Sequence, residues 1–338
     1  MNFEDDPRIG KIPNDEHLFF NVLRDTLDIP IYPGSAEISP NDFGKYLFRL
    51  PDKMEQLRGT KYFCSETKLL HFTSLEALFS IINDSSIRMY NLWNSNDEKE
   101  YSHAGEIFNH IYAIIGQKAE TRIRLAKTYS FISSFTSSNN YLSQYHWENY
   151  GNNYKGVAIE FEINPEYQMW YKFILSKTHY DKLQDFDALF KAWHDFQLKI
   201  AIPNNSIFDI DLNWLLSFYK DKSFSEEDEI RLYLYSDGYH ATFPLHFAKY
   251  TFSALKNNSR NQDIKYFRLP LCNDSWEYEH FQIGENEDKF WEAIPKIRIS
   301  KIYLGADSPN ENIEHLKSFV KEKTGKNIEI KDIQKIKL

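Results

Sequence analysis

An α+β fold, a mixed β-sheet with flanking and inserted helices, is the class this sequence predicts, on three observations. Strand-like and helix-like segments are mixed along the chain without regular βαβ alternation, which argues against a doubly wound parallel sheet. One segment, Val157 to Ile163, alternates cleanly with period 2. Several others place apolar residues at i, i+3, i+4 and i+7, the spacing of one helix face. Of the 338 residues, 42% are hydrophobic and 16% aromatic, enough for a packed core and too aromatic for long disordered tracts.

In chain order, residues 1–57 read as an N-terminal extension that packs on the core. Asn14 or Asp15 caps a helix carrying Leu18, Phe19, Val22 and Leu23, and Pro30, Pro33 and Pro40 mark a turn-rich connection. Residues 58–338 read as one α+β domain with a helical insertion at about 184–222. Its first feature is the apolar run Leu69-Leu70 ending at His71. Thr73 and Glu76 follow at capping-box spacing, and Leu75, Leu78, Phe79 and Ile82 form a helix face. Ile87 to Tyr90 is a strand. A helix starts near Asp97 and Glu100 and buries Tyr101, Ala104, Phe108, Ile111 and Ile115 before Gly116.

Tyr129 to Phe135 is the next strand, followed by a polar loop ending in Trp147-Glu148-Asn149-Tyr150-Gly151. In the strand after Lys155-Gly156, Val157, Ile159, Phe161 and Ile163 point one way and Ala158, Glu160 and Glu162 the other. Phe173 to Tyr180 is a strand, and Phe186 to Ile200 and Leu212 to Lys220 are helices separated by Ile202-Pro203-Asn204-Asn205. A strand at Glu229 to Tyr235 precedes a less regular stretch. Strand Ile297 to Leu304, helix Asn312 to Lys323 and a short strand Ile328 to Ile330 close the chain.

Composition excludes some classes. A net charge of −9 argues against a protein that coats nucleic acid non-specifically, though a local basic cleft is compatible with it. Two cysteines, Cys64 and Cys272, build neither a disulfide framework nor a four-cysteine zinc site, and read as reduced thiols. The acidic start Met1 to Asp6 has no apolar run, and no stretch reaches the length of a membrane span. The expectation is a cytoplasmic protein with no membrane partner.

Three places carry candidate chemistry. His71, between a strand end and a helix start, either serves a ligand or ties down the turn; helix starts favour anions. On the strand from Glu229, Ile230, Leu232 and Leu234 share one face, while Glu229, Arg231, Tyr233 and Tyr235 share the other. Glu229 and Arg231 either line a cleft or form an ordinary surface ion pair, which contributes only about 0–1 kcal/mol. Trp147, Tyr150, Gly151 and Lys155, with His146 and Glu148 beside them, either stack on a ligand ring or fold over the sheet edge. Asn96, Asp97 and Glu100 could meet a divalent ion, but capping accounts for Asp97 more simply, and no metal is expected. P-loop, GxGxxG, GxSxG, HExxH and CxxC patterns are absent.

Taken in order, Leu70-His71-Phe72-Thr73-Ser74-Leu75-Glu76, Asn96-Asp97-Glu98-Lys99-Glu100, Ser133-Ser134-Phe135-Thr136, Trp147 to Gly151, Lys155 to Phe161, Glu227 to Arg231 and Ile302 to Gly305 resemble the bacterial family known as domain of unknown function 2971. The likeness covers roughly residues 58 to 338. Glu98 stands where that family usually has proline, and Ile230 where it often has tryptophan.

The His-aromatic-Thr segment more distantly resembles the first motif of the ADP-ribosyltransferase superfamily. That resemblance implies a split β-sheet core and a cleft for NAD, used as a substrate. His71 and Thr73 would hold the adenosine side and the helix start would meet the pyrophosphate. Phe135, Trp147 or Tyr150 would pack on nicotinamide. Glu229 would be catalytic, stabilising an oxocarbenium-like state or deprotonating the acceptor, and Arg231 would orient a phosphate or Glu229 itself. The implied activity is transfer of ADP-ribose to a protein, a nucleic acid or water, in a toxin or phage-defence effector. A non-catalytic nucleotide- or peptide-binding sensor and a metal-dependent nuclease are the alternatives.

Overall fold

The computed structural model describes residues 53–94, 119–165, 172–180, 184–196, 207–236, 251–255, 263–272, 293–308 and 312–335, with 37–40, 45–51 and the single positions 24, 25, 28, 29, 109, 170 and 198. The expected helix near Leu18, the Asn96, Asp97 and Glu100 group and, apart from Asn109, which is helical, the expected helix from Asp97 to Ile115 lie outside the described residues.

The strands are β1 (Glu37–Pro40), β2 (Lys45–Arg49), β3 (Lys68–Thr73), β4 (Ser86–Asn91), β5 (Ser130–Ser137), β6 (Val157–Ile163), β7 (Phe173–Lys177), β8 (Ile207–Asp211), β9 (Glu229–Tyr235), β10 (Thr251–Leu255), β11 (Asp263–Pro270), β12 (Ile297–Leu304) and β13 (Glu329–Asp332). The helices are α1 (Met54–Leu57), α2 (Leu75–Asn83), α3 (Ala119–Tyr129), α4 (Gln144–Asn149), α5 (Gln184–Phe196), α6 (Asn213–Leu216) and α7 (Asn312–Thr324). The fold is mixed α+β, as the unalternating pattern predicts.

Ten of the described strands form one sheet. Its path runs β10-β11-β4-β5-β3-β6-β12-β13, and β9 pairs both β5 and β7. β6 pairs antiparallel with β3 on one side and β12 on the other. Its two faces separate as the alternation requires. Val157, Ile159, Phe161 and Ile163 enter the main core with Leu78 and Ile82 of α2 and Leu316 and Val320 of α7. Ala158 joins a smaller cluster with Leu70, Phe72, Trp147 and Tyr303. Each fully buried Ile or Phe in such a core contributes about 1.5–3 kcal/mol.

The sheet divides at β5. β3 pairs with β5 only at Leu69–Ser137 and Leu70–Thr136, and β4 pairs with it only at Tyr90–Ile132 and Asn91–Phe131. Between these contacts no described strand covers that edge of β5 at Ser133, Ser134 and Phe135. The opposite edge pairs with β9 along its length, from Ser130–Tyr235 to Thr136–Glu229. β3 and β4 therefore diverge from a shared strand, and a gap opens between them.

Several local expectations are corrected. The helix after His71 is capped by Ser74, whose hydroxyl accepts from the Ala77 N–H, while Thr73 still belongs to β3 and pairs with Val157. The segment before Gly151 forms the short helix α4 rather than a loop. The insertion at 184–222 is not wholly helical. Its β8 pairs in parallel with β2 of the N-terminal segment, and β1-β2-β8 make a separate three-stranded sheet. The expected helix from Leu212 to Lys220 shrinks to α6. β10 and β11 occupy part of the stretch read as irregular. No described helix is long and apolar enough to cross a membrane.

Candidate functional site

The gap beside β5 is a two-lobed cleft. The larger lobe, about 690 Å³, is lined by residues that include His71, Phe135, Tyr150, Lys220, Glu227 and Glu229. The smaller, about 400 Å³, runs along the flank of α2 and includes Thr73, Ala77 and Arg88. His71, Tyr90, Ile132 and Ser134 line both. Both volumes lie within the range usual for small-molecule sites.

Ser134 joins the two sides. Its carbonyl, left over on the uncovered edge of β5, lies 3.0 Å from His71 Nδ1. A carbonyl can only accept, so we assign the proton to Nδ1, which leaves Nε2 as an acceptor. Burial lowers the His71 pKa from its usual value, and the bond to Ser134 offsets only part of that. The ring is therefore a neutral hydrogen-bond acceptor at pH 7, better matched to a hydroxyl than to a phosphate. The Ser134 hydroxyl donates to Glu229 Oε1 at 2.5 Å.

Glu229 is only 5% exposed. Its Oε1 lies 3.0 Å from Arg231 Nε, and its Oε2 lies 2.9 Å from Lys220 Nζ. The Glu229 N–H donates to the Tyr180 hydroxyl at 2.9 Å. Burial pushes the carboxyl pKa up, but the charges of Arg231 and Lys220 and the bonds from Arg231 and Ser134 outweigh it and hold it at about 2. Arg231 is 1% exposed and donates to the Ser217 carbonyl. It braces Glu229 from within the core and does not line the cleft.

A second carboxylate stands beside the first. Glu227 accepts from the Tyr150 hydroxyl and from Lys220 Nζ, each at 2.6 Å. Its carbonyl accepts from His146 Nε2 at 2.8 Å, and the Ser143 hydroxyl lies 2.7 Å from His146 Nδ1, so His146 is a structural tie. Between the two glutamates Asp228 adopts φ 40°, a left-handed conformation that aspartate tolerates better than most residues. Its side chain accepts from Asn140 Nδ2, and its carbonyl from the Thr136 hydroxyl.

The three aromatic candidates separate. Trp147 is fully buried, lines neither lobe, donates its indole N–H to the Tyr141 carbonyl at 2.8 Å and packs edge-on against Phe72. Phe135 borders the cleft but is buried, with its ring edge-on to His71 and Phe161. Tyr150 is 44% exposed at the cleft wall. The start of α2 offers little to an anion, because Ser74 caps it and the Glu76 carboxyl, its pKa lowered by a backbone hydrogen bond, sits in its first turn.

Residues 146–232 match the family model described as "Protein of unknown function (DUF2971)". No curated protein and no solved structure matches the chain. The matched span carries the carboxylate wall of the cleft, Tyr150, Glu227 and Glu229, with Arg231 behind it, while His71, Thr73 and Phe135 lie outside it. Sequence reasoning assigned no role to Ser134, Lys220 or Glu227. Ser134 and Glu227 entered only as members of the family-like segments Ser133 to Thr136 and Glu227 to Arg231. Among the described residues no group of three or more His, Cys, Asp or Glu side chains is placed to hold a metal ion.

Proposed function

We propose that the cleft binds NAD and cleaves its nicotinamide–ribose bond, passing ADP-ribose to a macromolecule or to water. The observation that carries the reading is Ser134, whose carbonyl and hydroxyl bind His71 and Glu229 and so bring these two distant residues to one cleft. A two-lobed shape with His71 shared between the lobes suits a dinucleotide.

Breaking the bond builds positive charge on the ribose, as in glycoside hydrolysis. Glu229, ionised at neutral pH, would accept a ribose hydroxyl and stabilise that charge from a site where little water intervenes. With a pKa of about 2 it is too weak a base to take a proton from an acceptor at neutral pH, so its role is electrostatic. Neutral His71 would accept a second ribose hydroxyl, and exposed Tyr150 offers the ring face for nicotinamide.

The test is release of free nicotinamide from NAD by purified protein, alone and with cell lysate as acceptor, beside Glu229→Gln. Release by the wild type and a loss of about 10²–10³-fold in the variant support the reading. No release from the wild type under either condition refutes it. The tight packing of cations on Glu229 favours a second reading, a sensor that binds a nucleotide without turnover. Calorimetric NAD binding with no nicotinamide released would establish that one.

A further inference from the structure

Glu229 owes its setting to the segment just upstream of its own strand. Residues 217–220, where the insertion returns to the core, deliver two groups to it. The Ser217 carbonyl holds Arg231 Nη1, and Lys220 brings its ammonium between the Glu227 and Glu229 carboxylates, 2.6 Å from the first and 2.9 Å from the second. The segment itself is anchored on both sides. The His179 N–H donates to the Phe218 carbonyl at 2.7 Å, the Lys220 N–H donates to the His179 carbonyl at 3.0 Å, and the Tyr219 and Tyr62 hydroxyls meet at 2.9 Å. The Lys220 side chain is 11% exposed, so its charge is little screened.

We propose that Lys220 is a positioning residue for Glu229, its ammonium bridging Glu227 and Glu229 so that the cleft carboxylate is held ionised and in one orientation. This rests on the reading of Glu229 as the group that meets the ribose.

The groups facing Glu229 are Arg231 on its own strand, Lys220 from the insertion, Glu227 from the preceding turn on the far side of the Lys220 ammonium, neutral His71 across Ser134, and the hydroxyls of Ser134, Thr178 and Tyr180. Without the ammonium, two poorly solvated carboxylates stand side by side with one cation fewer. With that cation gone, the Glu229 carboxyl takes up a proton at higher pH.

The test is a ¹³C-carboxyl NMR titration of glutamate-labelled protein, the Glu229 signal being assigned by its loss in Glu229→Gln. Lys220→Met should raise the Glu229 titration midpoint by about 1–3 pH units, and Lys220→Arg should restore most of the difference. In the nicotinamide assay Lys220→Met should lower kcat by roughly 10–100-fold with little change in KM, the mark of lost orientation rather than lost binding. An unchanged midpoint in Lys220→Met overturns the proposal. Where Lys220→Met does not fold, Glu227→Gln decides: it keeps the ammonium, so the Glu229 midpoint should stay or fall, and a rise overturns the proposal. The titration needs no turnover. A protein that releases no nicotinamide removes the enzymatic reading and leaves the bridging role of Lys220 to be judged by the midpoint alone.

Discussion

Replacing Glu229 by glutamine keeps the shape of the side chain and removes its charge, and the structure sets what that costs. The carboxyl titrates at about 2 in the folded protein against an ordinary 4.5. A depressed folded pKa stabilises the protein above the unfolded value and loses that stabilisation as the pH falls towards the folded one. The gap from 4.5 to about 2 amounts to about 3 kcal/mol at neutral pH. About 2 kcal/mol of this has gone by pH 3. In Glu229→Gln the amide cannot balance Arg231 and Lys220, and uncompensated buried charge costs about 3–5 kcal/mol. Urea unfolding of both proteins at pH 7 and pH 3 measures the difference. The wild type should be more stable by about 3 kcal/mol at pH 7, and that margin should shrink by about 2 kcal/mol at pH 3. A margin equal at the two pH values would refute the claim that Glu229 is held ionised by its neighbours.

Four further outcomes follow from the same geometry. A Cβ on Gly156 would lie 2.3 Å from the Thr73 carbonyl oxygen, so Gly156→Ala should lower stability by about 1–3 kcal/mol or more, read by thermal melting. Trp147→Phe loses the indole bond to Tyr141 and leaves a void, so it should cost about 2–4 kcal/mol while leaving calorimetric nucleotide affinity little changed. The Cys64 thiol, pushed by burial up to about 11, should resist iodoacetamide at pH 8 until the protein is unfolded. Imidazole NMR of His71 should show a midpoint below 6.5; the stability gained from its neutral form is complete above that pH and declines as the pH falls below it.

What could be read from the sequence was what local chemistry decides. β6, β9 and β12 lie where the alternation and apolar runs put them, because each strand's pattern reflects the two faces it presents. Pairing with a distant segment hid the rest. β2 finds its parallel partner β8 about 160 residues away, and neither short strand carries an alternation that names the other. The cap after His71 fell one residue late for a similar reason. Thr73 and Ser74 are both good caps, and the choice was made by Val157, which keeps Thr73 in the ladder.

The site divides along the same line. His71 and Glu229 stood out as polar residues on otherwise apolar strands, but what joins them is a backbone carbonyl on an uncovered strand edge, which no side-chain pattern encodes. The choice between Trp147 and Tyr150 was legible in principle, and the deciding residue is Gly151. A Cβ there would lie 2.5 Å from the Trp147 ring, so the glycine is what lets the indole fold under the chain at the end of α4. With the indole committed to the core, Tyr150, at the cap of that helix, is the ring left to turn outward, and its hydroxyl reaches Glu227. An aromatic four residues before a glycine that has no need of a left-handed turn is therefore a packing signature. The same segment that looked like one stacking motif splits into a buried prop and a cleft wall.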